Sequence, residues 1–135
     1  MTTTIVCAAV LAAAVFVLGF HVSMQRGLAA QQGRPQMPTD PADRLLIAIR
    51  AHGNAAEYVP TLLVLFLIVQ TLTPGWWVTA LVVGATASRL VHAVSMVSAR
   101  SLAAESKPRM AGAMGTYVFG VALAVTAGVG ALTAV

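Results

Sequence analysis

Charge is scarce in this chain. Of its 135 residues only 9% are Asp, Glu, Lys or Arg, and only four are acids, against roughly 25% charged residues in an ordinary soluble domain. That leaves too little polar surface to cover a water-soluble globule. The 59% hydrophobic content also excludes a disordered chain, which needs low hydrophobicity and high charge. Cysteine is nearly missing. The single Cys7 excludes an internal disulfide and a cysteine-based zinc site, and reads as a small apolar filler. His21, His52 and His92 have no ligand spacing and no carboxylate companions, so no metal is expected. What is left is a small polytopic membrane protein: one all-α domain over residues 1–135, a transmembrane four-helix bundle with spans of about 20 residues.

The first span is expected from Ile5 to Met24. The Met-Thr-Thr-Thr before it lacks a basic n-region, so it reads as a retained helix rather than a cleaved signal peptide. Arg26 to Arg44 reads as the first loop because of Gly33, Pro35, Pro38 and Pro41. Asp40-Pro41-Ala42-Asp43 predicts a helix start, with an Asp cap and a proline in the first turn. The second helix runs from about Asp43 to Leu72. At about 45 Å it exceeds a ~30 Å hydrocarbon core, so its first turns project beyond the membrane, and Pro60 is predicted to kink it. Thr73-Pro74-Gly75 is a turn. The third helix starts at the interfacial pair Trp76 and Trp77 and ends near Val97. Ser98 to Pro108 is a polar connection. The fourth helix is expected from Arg109 to Leu132, with Gly112, Gly115 and Gly120 offering close packing.

Basic residues mark two of the three connections. The first carries Arg26, Arg34 and Arg44; the third carries Arg100, Lys107 and Arg109. The positive-inside rule therefore places both in the cytoplasm and both termini outside. Short loops and Ala/Val-rich spans suit a bacterial inner membrane with periplasmic termini. The net charge of +4 matches basic loops facing anionic headgroups of the membrane lipid. Divided between two loops, it does not form the single stripe a nucleic-acid partner would need.

A few charges interrupt the apolar spans. On the second helix Arg50, Asn54, Glu57 and Thr61 fall within about 60° of one another at 3.6 residues per turn, one polar face over three turns. Arg89 and His92 share a face of the third helix, and Arg109 opens the fourth. A charge at the bilayer centre costs ~2.5–3.5 kcal/mol on insertion scales. Exposing Arg50, Glu57 and Arg89 to lipid would thus cost up to ~10 kcal/mol, comparable to the stability of a whole domain. They are expected to face a bundle interior, another protomer or a wet pocket. Arg50 and Glu57 are about 10 Å apart along the axis, too far for a close ion pair. One reading is an internal network in which Glu57 pairs with Arg89 or with another protomer's arginine. The other is a ligand site. Arg50, Glu57, Arg89 and Arg109 balance to a positive excess that one anionic ligand would complete, and the arginine forks suit carboxylates.

The run Arg50-Ala51-His52-Gly53-Asn54-Ala55-Ala56-Glu57-Tyr58-Val59-Pro60 resembles the second-helix signature of the MAPEG family, membrane-associated proteins in eicosanoid and glutathione metabolism. Arg89-Leu90-Val91-His92 resembles the Arg-x-x-His element of the prostaglandin E synthase branch. The resemblance implies a four-helix bundle assembled as a homotrimer, with glutathione as co-substrate between protomers near the cytoplasmic side. Carried over on it as glutathione contacts are Arg50, Asn54 and Glu57, then Tyr58, which follows Glu57 as in the leukotriene-forming branch, then Arg89, His92 and Arg26. Arg109 matches the catalytic arginine near the start of helix four, with Arg100 as its rival. Gly53 stands where some members have a second arginine, and Met96 where the prostaglandin branch has tyrosine.

The resemblance implies a membrane-bound glutathione transferase or peroxidase. It would act on a lipophilic small-molecule electrophile or hydroperoxide arriving from lipid, with the thiolate stabilised by arginine. The alternatives are a non-catalytic lipid-binding or scaffold protein of the same fold and, ranked last, a small proton-coupled multidrug transporter. That class carries its glutamate on the first helix, where this chain has no acid.

Overall fold

The computed structural model describes residues 1–134, most of them in four helices: α1 (Thr2–Gln31), α2 (Arg44–Leu72), α3 (Trp76–Val97) and α4 (Lys107–Thr133). Each is long and apolar enough to cross a membrane. α3 has the expected limits, because Thr73-Pro74-Gly75 leaves no helical alternative before Trp76. α1 does not stop at Met24. The residues that end the apolar run, such as Gln25, Leu28, Ala29, Ala30 and Gln31, are good helix formers, so loss of hydropathy does not end the helix. Arg26 therefore lies on α1 and not in a loop. Termination comes at Gly33, which takes a left-handed φ of 64°. The Gly33 amide donates to the Ala30 carbonyl at 3.1 Å and the Arg34 amide to the Ala29 carbonyl at 2.8 Å, a Schellman end that satisfies two orphan carbonyls.

α2 begins one residue after its cap. The Asp43 carboxylate accepts from the Leu45 amide at 2.7 Å and pairs with Arg34 at 2.7 Å. Pro41 was expected in the first turn but lies outside the helix, where its carbonyl accepts from the Leu102 amide at 2.8 Å. α2 runs unbroken through Pro60. α4 begins two residues earlier than expected, because the Ser106 hydroxyl caps it by accepting from the Arg109 amide at 3.4 Å.

α2 and α3 form the middle of the bundle. α1 packs on both, α4 packs on both, and α1 and α4 do not meet. The α3–α4 approach is the tightest. A Cβ on Gly112 would sit 2.6 Å from the His92 backbone nitrogen and 2.8 Å from the Ser88 carbonyl, so only glycine allows the two backbones this close. Gly115 instead leaves room for the Ser88 side chain, while Gly120 has nothing nearer than Leu62 at 3.9 Å. Gly84, beneath the Phe119 ring, is a close-packing glycine that hydropathy did not single out.

The two ends differ. At one end the first and third connections meet, through the Pro41–Leu102 bond and through Arg44, which donates to the Ala99 carbonyl at 3.2 Å. This end gathers the basic residues. At the other end Thr4 donates to Gln70 at 2.7 Å, and Gly130 packs against Leu72 and Thr73. The main core lies toward this second end, with Cys7, Leu11, Phe66, Val78, Val82 and Leu123 drawn from all four helices. Toward the basic end the clusters are smaller and rich in alanine: Leu18, Ala51, Ala55 and Met96, then Val22, Ala29, Leu45 and Ala48. Outward faces such as Phe16, Val17 and Phe20 on α1 and Val118, Val121 and Val125 on α4 are exposed, as hydrocarbon contact requires.

Candidate functional site

The basic end also holds a void. A cavity of about 630 Å³ opens between α2, α3 and the start of α4, with walls from Arg50, Asn54, Glu57, His92 and Arg109. Five predicted site residues from three helices thus meet in one void, of the size that small-ligand sites occupy.

The α2 polar face supplies one wall. Arg50 and Glu57 are exposed and form no ion pair among the described residues, where the one salt bridge is Arg34–Asp43. The internal network joining Glu57 to Arg89 is therefore not formed within the chain. Arg89 turns to Asn54 instead. One guanidinium nitrogen donates to the Asn54 side-chain oxygen at 2.8 Å and to its carbonyl at 3.3 Å. Guanidinium only donates, so this bond fixes the amide with its NH₂ group free. Arg89 is 3% exposed and is not part of the cavity wall. Its charge lies 5.1 Å from the centre of the Tyr58 ring, a cation–π contact, and its Nε is buried with no hydrogen-bond partner among the described residues. Tyr58 in turn meets Tyr117, hydroxyl to hydroxyl at 3.4 Å.

α3 and α4 supply the opposite wall. His92 Nδ1 lies 2.9 Å from the Arg109 carbonyl. A carbonyl only accepts, so Nδ1 carries the proton, and in the neutral ring Nε2 is an acceptor. The Gly112 approach makes this bond possible, one turn further along α4. Arg109 is half-buried. It donates to the Ala104 carbonyl at 2.8 Å and to the Leu102 carbonyl at 3.2 Å, which ties the third connection to the start of α4.

Two lining charges escaped the sequence reading, Glu105 and Lys107. Their place in a polar connection hid them. The signal available was that this connection shares the basic end with the α2 face. With them, and without Arg89, the wall carries three cations (Arg50, Lys107, Arg109) against two carboxylates (Glu57, Glu105). The other candidates lie elsewhere: Tyr58, beside Arg89 and Tyr117, is not part of the cavity wall. Arg100 lines a separate cavity on the far side of the connection, and Arg26 is exposed on α1, which contributes nothing to this cavity. His52 lies between α1 and α2 with its ring against Gly19, and its buried Nδ1 has no hydrogen-bond partner among the described residues.

Four apolar helices of this length, with charged side chains converging on a void at one end, define a multi-pass membrane protein with an internal polar site. The MAPEG family model matches residues 4–129, nearly the whole chain, and the chain belongs to that family, whose general province is glutathione- and eicosanoid-related function in membranes. No curated protein matches the chain.

Proposed function

We propose that the protein is a membrane-bound glutathione transferase or peroxidase acting on lipophilic electrophiles or hydroperoxides. The observation that carries this reading is that Arg50, Asn54, Glu57, His92 and Arg109 share one cavity while Arg50 and Glu57 have no ion-pair partner among the described residues. Glutathione has two carboxylates, an ammonium, two amides and a thiol. The donor set fits each: cationic Arg50 and Lys107 for the carboxylates, Glu57 for the ammonium, and the free NH₂ of Asn54 for a carbonyl, which leaves Arg109 for the thiol. The thiol supplies the nucleophile.

The residues have distinct tasks. Arg50 and Glu57 bind the charged ends. Arg89 does not bind; it positions Asn54. Arg109 supplies positive charge that favours thiolate over thiol, an electrostatic role, because guanidinium does not give up its proton at neutral pH. His92 Nε2 offers an acceptor at the same wall. The lipophilic partner would come from lipid past exposed Met110 and Met114 of α4.

A homotrimer belongs to the same proposal. Arg50, Glu57 and Thr61 are exposed on α2 at a cost in hydrocarbon of ~2.5–3.5 kcal/mol per charge, and a neighbouring subunit would cover them. So does the orientation: with the basic end cytoplasmic, both termini lie in the periplasm of a bacterial inner membrane.

A second reading, a non-catalytic lipid-binding or scaffold protein, is favoured by one observation: Arg109 already spends one nitrogen on the Leu102 and Ala104 carbonyls. Two measurements separate the readings. Millimolar glutathione should raise the unfolding temperature of the detergent-solubilised protein and fail to do so in Arg50→Ala. The protein should conjugate glutathione to a generic aromatic electrophile, and Arg109→Ala should lose turnover while keeping binding. Turnover unchanged in Arg109→Ala rejects the arginine role. Binding without turnover across an electrophile panel favours the scaffold.

A further inference from the structure

The second cavity, about 410 Å³, lies on the outer side of the third connection, against the lipid-facing side of α3. Its wall holds two opposite charges, Arg100 and Glu105, together with Ser95, Ser98, Ser101 and Ser106. Arg100 and Glu105 are both exposed, and neither forms an ion pair among the described residues. Ser101 and Ser106 accept backbone amides through their oxygens, so each hydroxyl proton is left for another acceptor. One cation and several hydroxyl donors suit a phosphate. The carboxylate beside them suits a primary ammonium.

The surface leading to this cavity is apolar. Ala80, Val83, Ala87, Val91 and Val94 are exposed on one side of α3 at spacings of three and four, a continuous track that ends at the cavity, where Val94 forms part of the wall. The polar pocket therefore sits at the basic end, where headgroups lie, and the track runs into the hydrocarbon. We propose that this is a binding site for an ethanolamine phospholipid: phosphate on Arg100 and the serine hydroxyls, ammonium on Glu105, acyl chains along the α3 valines. Glu105 disfavours a purely anionic headgroup. A choline headgroup lacks the N–H donors that Glu105 would accept. The site is independent of the glutathione reading, although Glu105 also borders the larger cavity.

The test is native mass spectrometry of the full chain, released from micelles carrying equimolar dioleoyl phosphatidylethanolamine, phosphatidylglycerol and phosphatidylcholine. The ethanolamine lipid should be the dominant adduct. Arg100→Gln should reduce its retention about 10- to 100-fold, the worth of a charge-assisted hydrogen bond. Glu105→Gln should keep phospholipid bound but erase the preference of ethanolamine over choline. Equal or stronger retention of phosphatidylglycerol overturns the proposal, as does an Arg100→Gln variant that retains lipid normally. Displacement of the lipid by an equal concentration of soluble phosphoethanolamine overturns the acyl track. A Ser95→Cys variant that forms disulfides between copies would show a second protein chain on this face, and also overturns it.

Discussion

The two halves of the bundle are built for different ends. Away from the basic end, Phe66, Leu11, Val78, Val82 and Leu123 fill the space between all four helices, and each is almost wholly buried. Toward the basic end the packed clusters are smaller and hold alanines such as Ala48, Ala51 and Ala55, and beside them a cavity opens between α2, α3 and α4. In a membrane, helices associate by packing and hydrogen bonds rather than by exclusion of water. The filled half therefore supplies cohesion, and the basic half holds the void. Charge follows the same division: Arg50, Glu57, Glu105, Lys107 and Arg109 all border the void, while the other end is held by a neutral Thr4–Gln70 bond.

The sharpest way to break this contrast is to damage one half and watch the other. Phe66→Ala should destabilise the detergent-solubilised protein by about 3–5 kcal/mol, the usual cost of emptying an aromatic site in a core. Glutathione affinity per folded molecule should stay within about twofold, since such a change is under 1 kcal/mol. Arg50→Ala should do the reverse, weakening glutathione binding by about 1.5–3 kcal/mol in calorimetry while leaving the unfolding temperature unchanged, because Arg50 has no partner to lose within the chain.

Gly112→Ala tests the seam between the halves. Its methyl group would meet His92 and Ser88 backbone atoms and should cost about 1–3 kcal/mol of stability, as overpacking does. It should also weaken ligand binding, because the His92–Arg109 bond depends on the same approach. Loss of stability with binding unchanged would show that the cavity does not need that bond. Thr4→Val should give the smallest effect, about 0.5–1.5 kcal/mol for one hydrogen bond seen in thermal unfolding, with no change at the basic end.

Much of this was legible in the chain. Hydropathy and length fixed four spans. The Thr73-Pro74-Gly75 turn placed α3, and helical periodicity put Arg50, Asn54 and Glu57 on one face. The end of α1 was misplaced because polarity and helix formation are separate properties: Gln25 to Gln31 leave the apolar regime without leaving the helix. The site was half legible for a similar reason. Periodicity relates residues on one helix but does not say which neighbour a long side chain reaches. Arg89 was grouped with the ligand contacts, yet it turns to Asn54. Glu105 and Lys107 fall in a connection without helical period, yet they form part of the wall.

The sequence by itself determined that this is a four-span membrane protein with charges concentrated at one end, because hydropathy, helical period and loop charge are local quantities that add along the chain. Only the tertiary structure decided which of those charges share a void and which are spent on other residues. That choice depends on distances between helices, set at α3 and α4 by glycines such as Gly112, and on how a connection with no periodicity folds back over them.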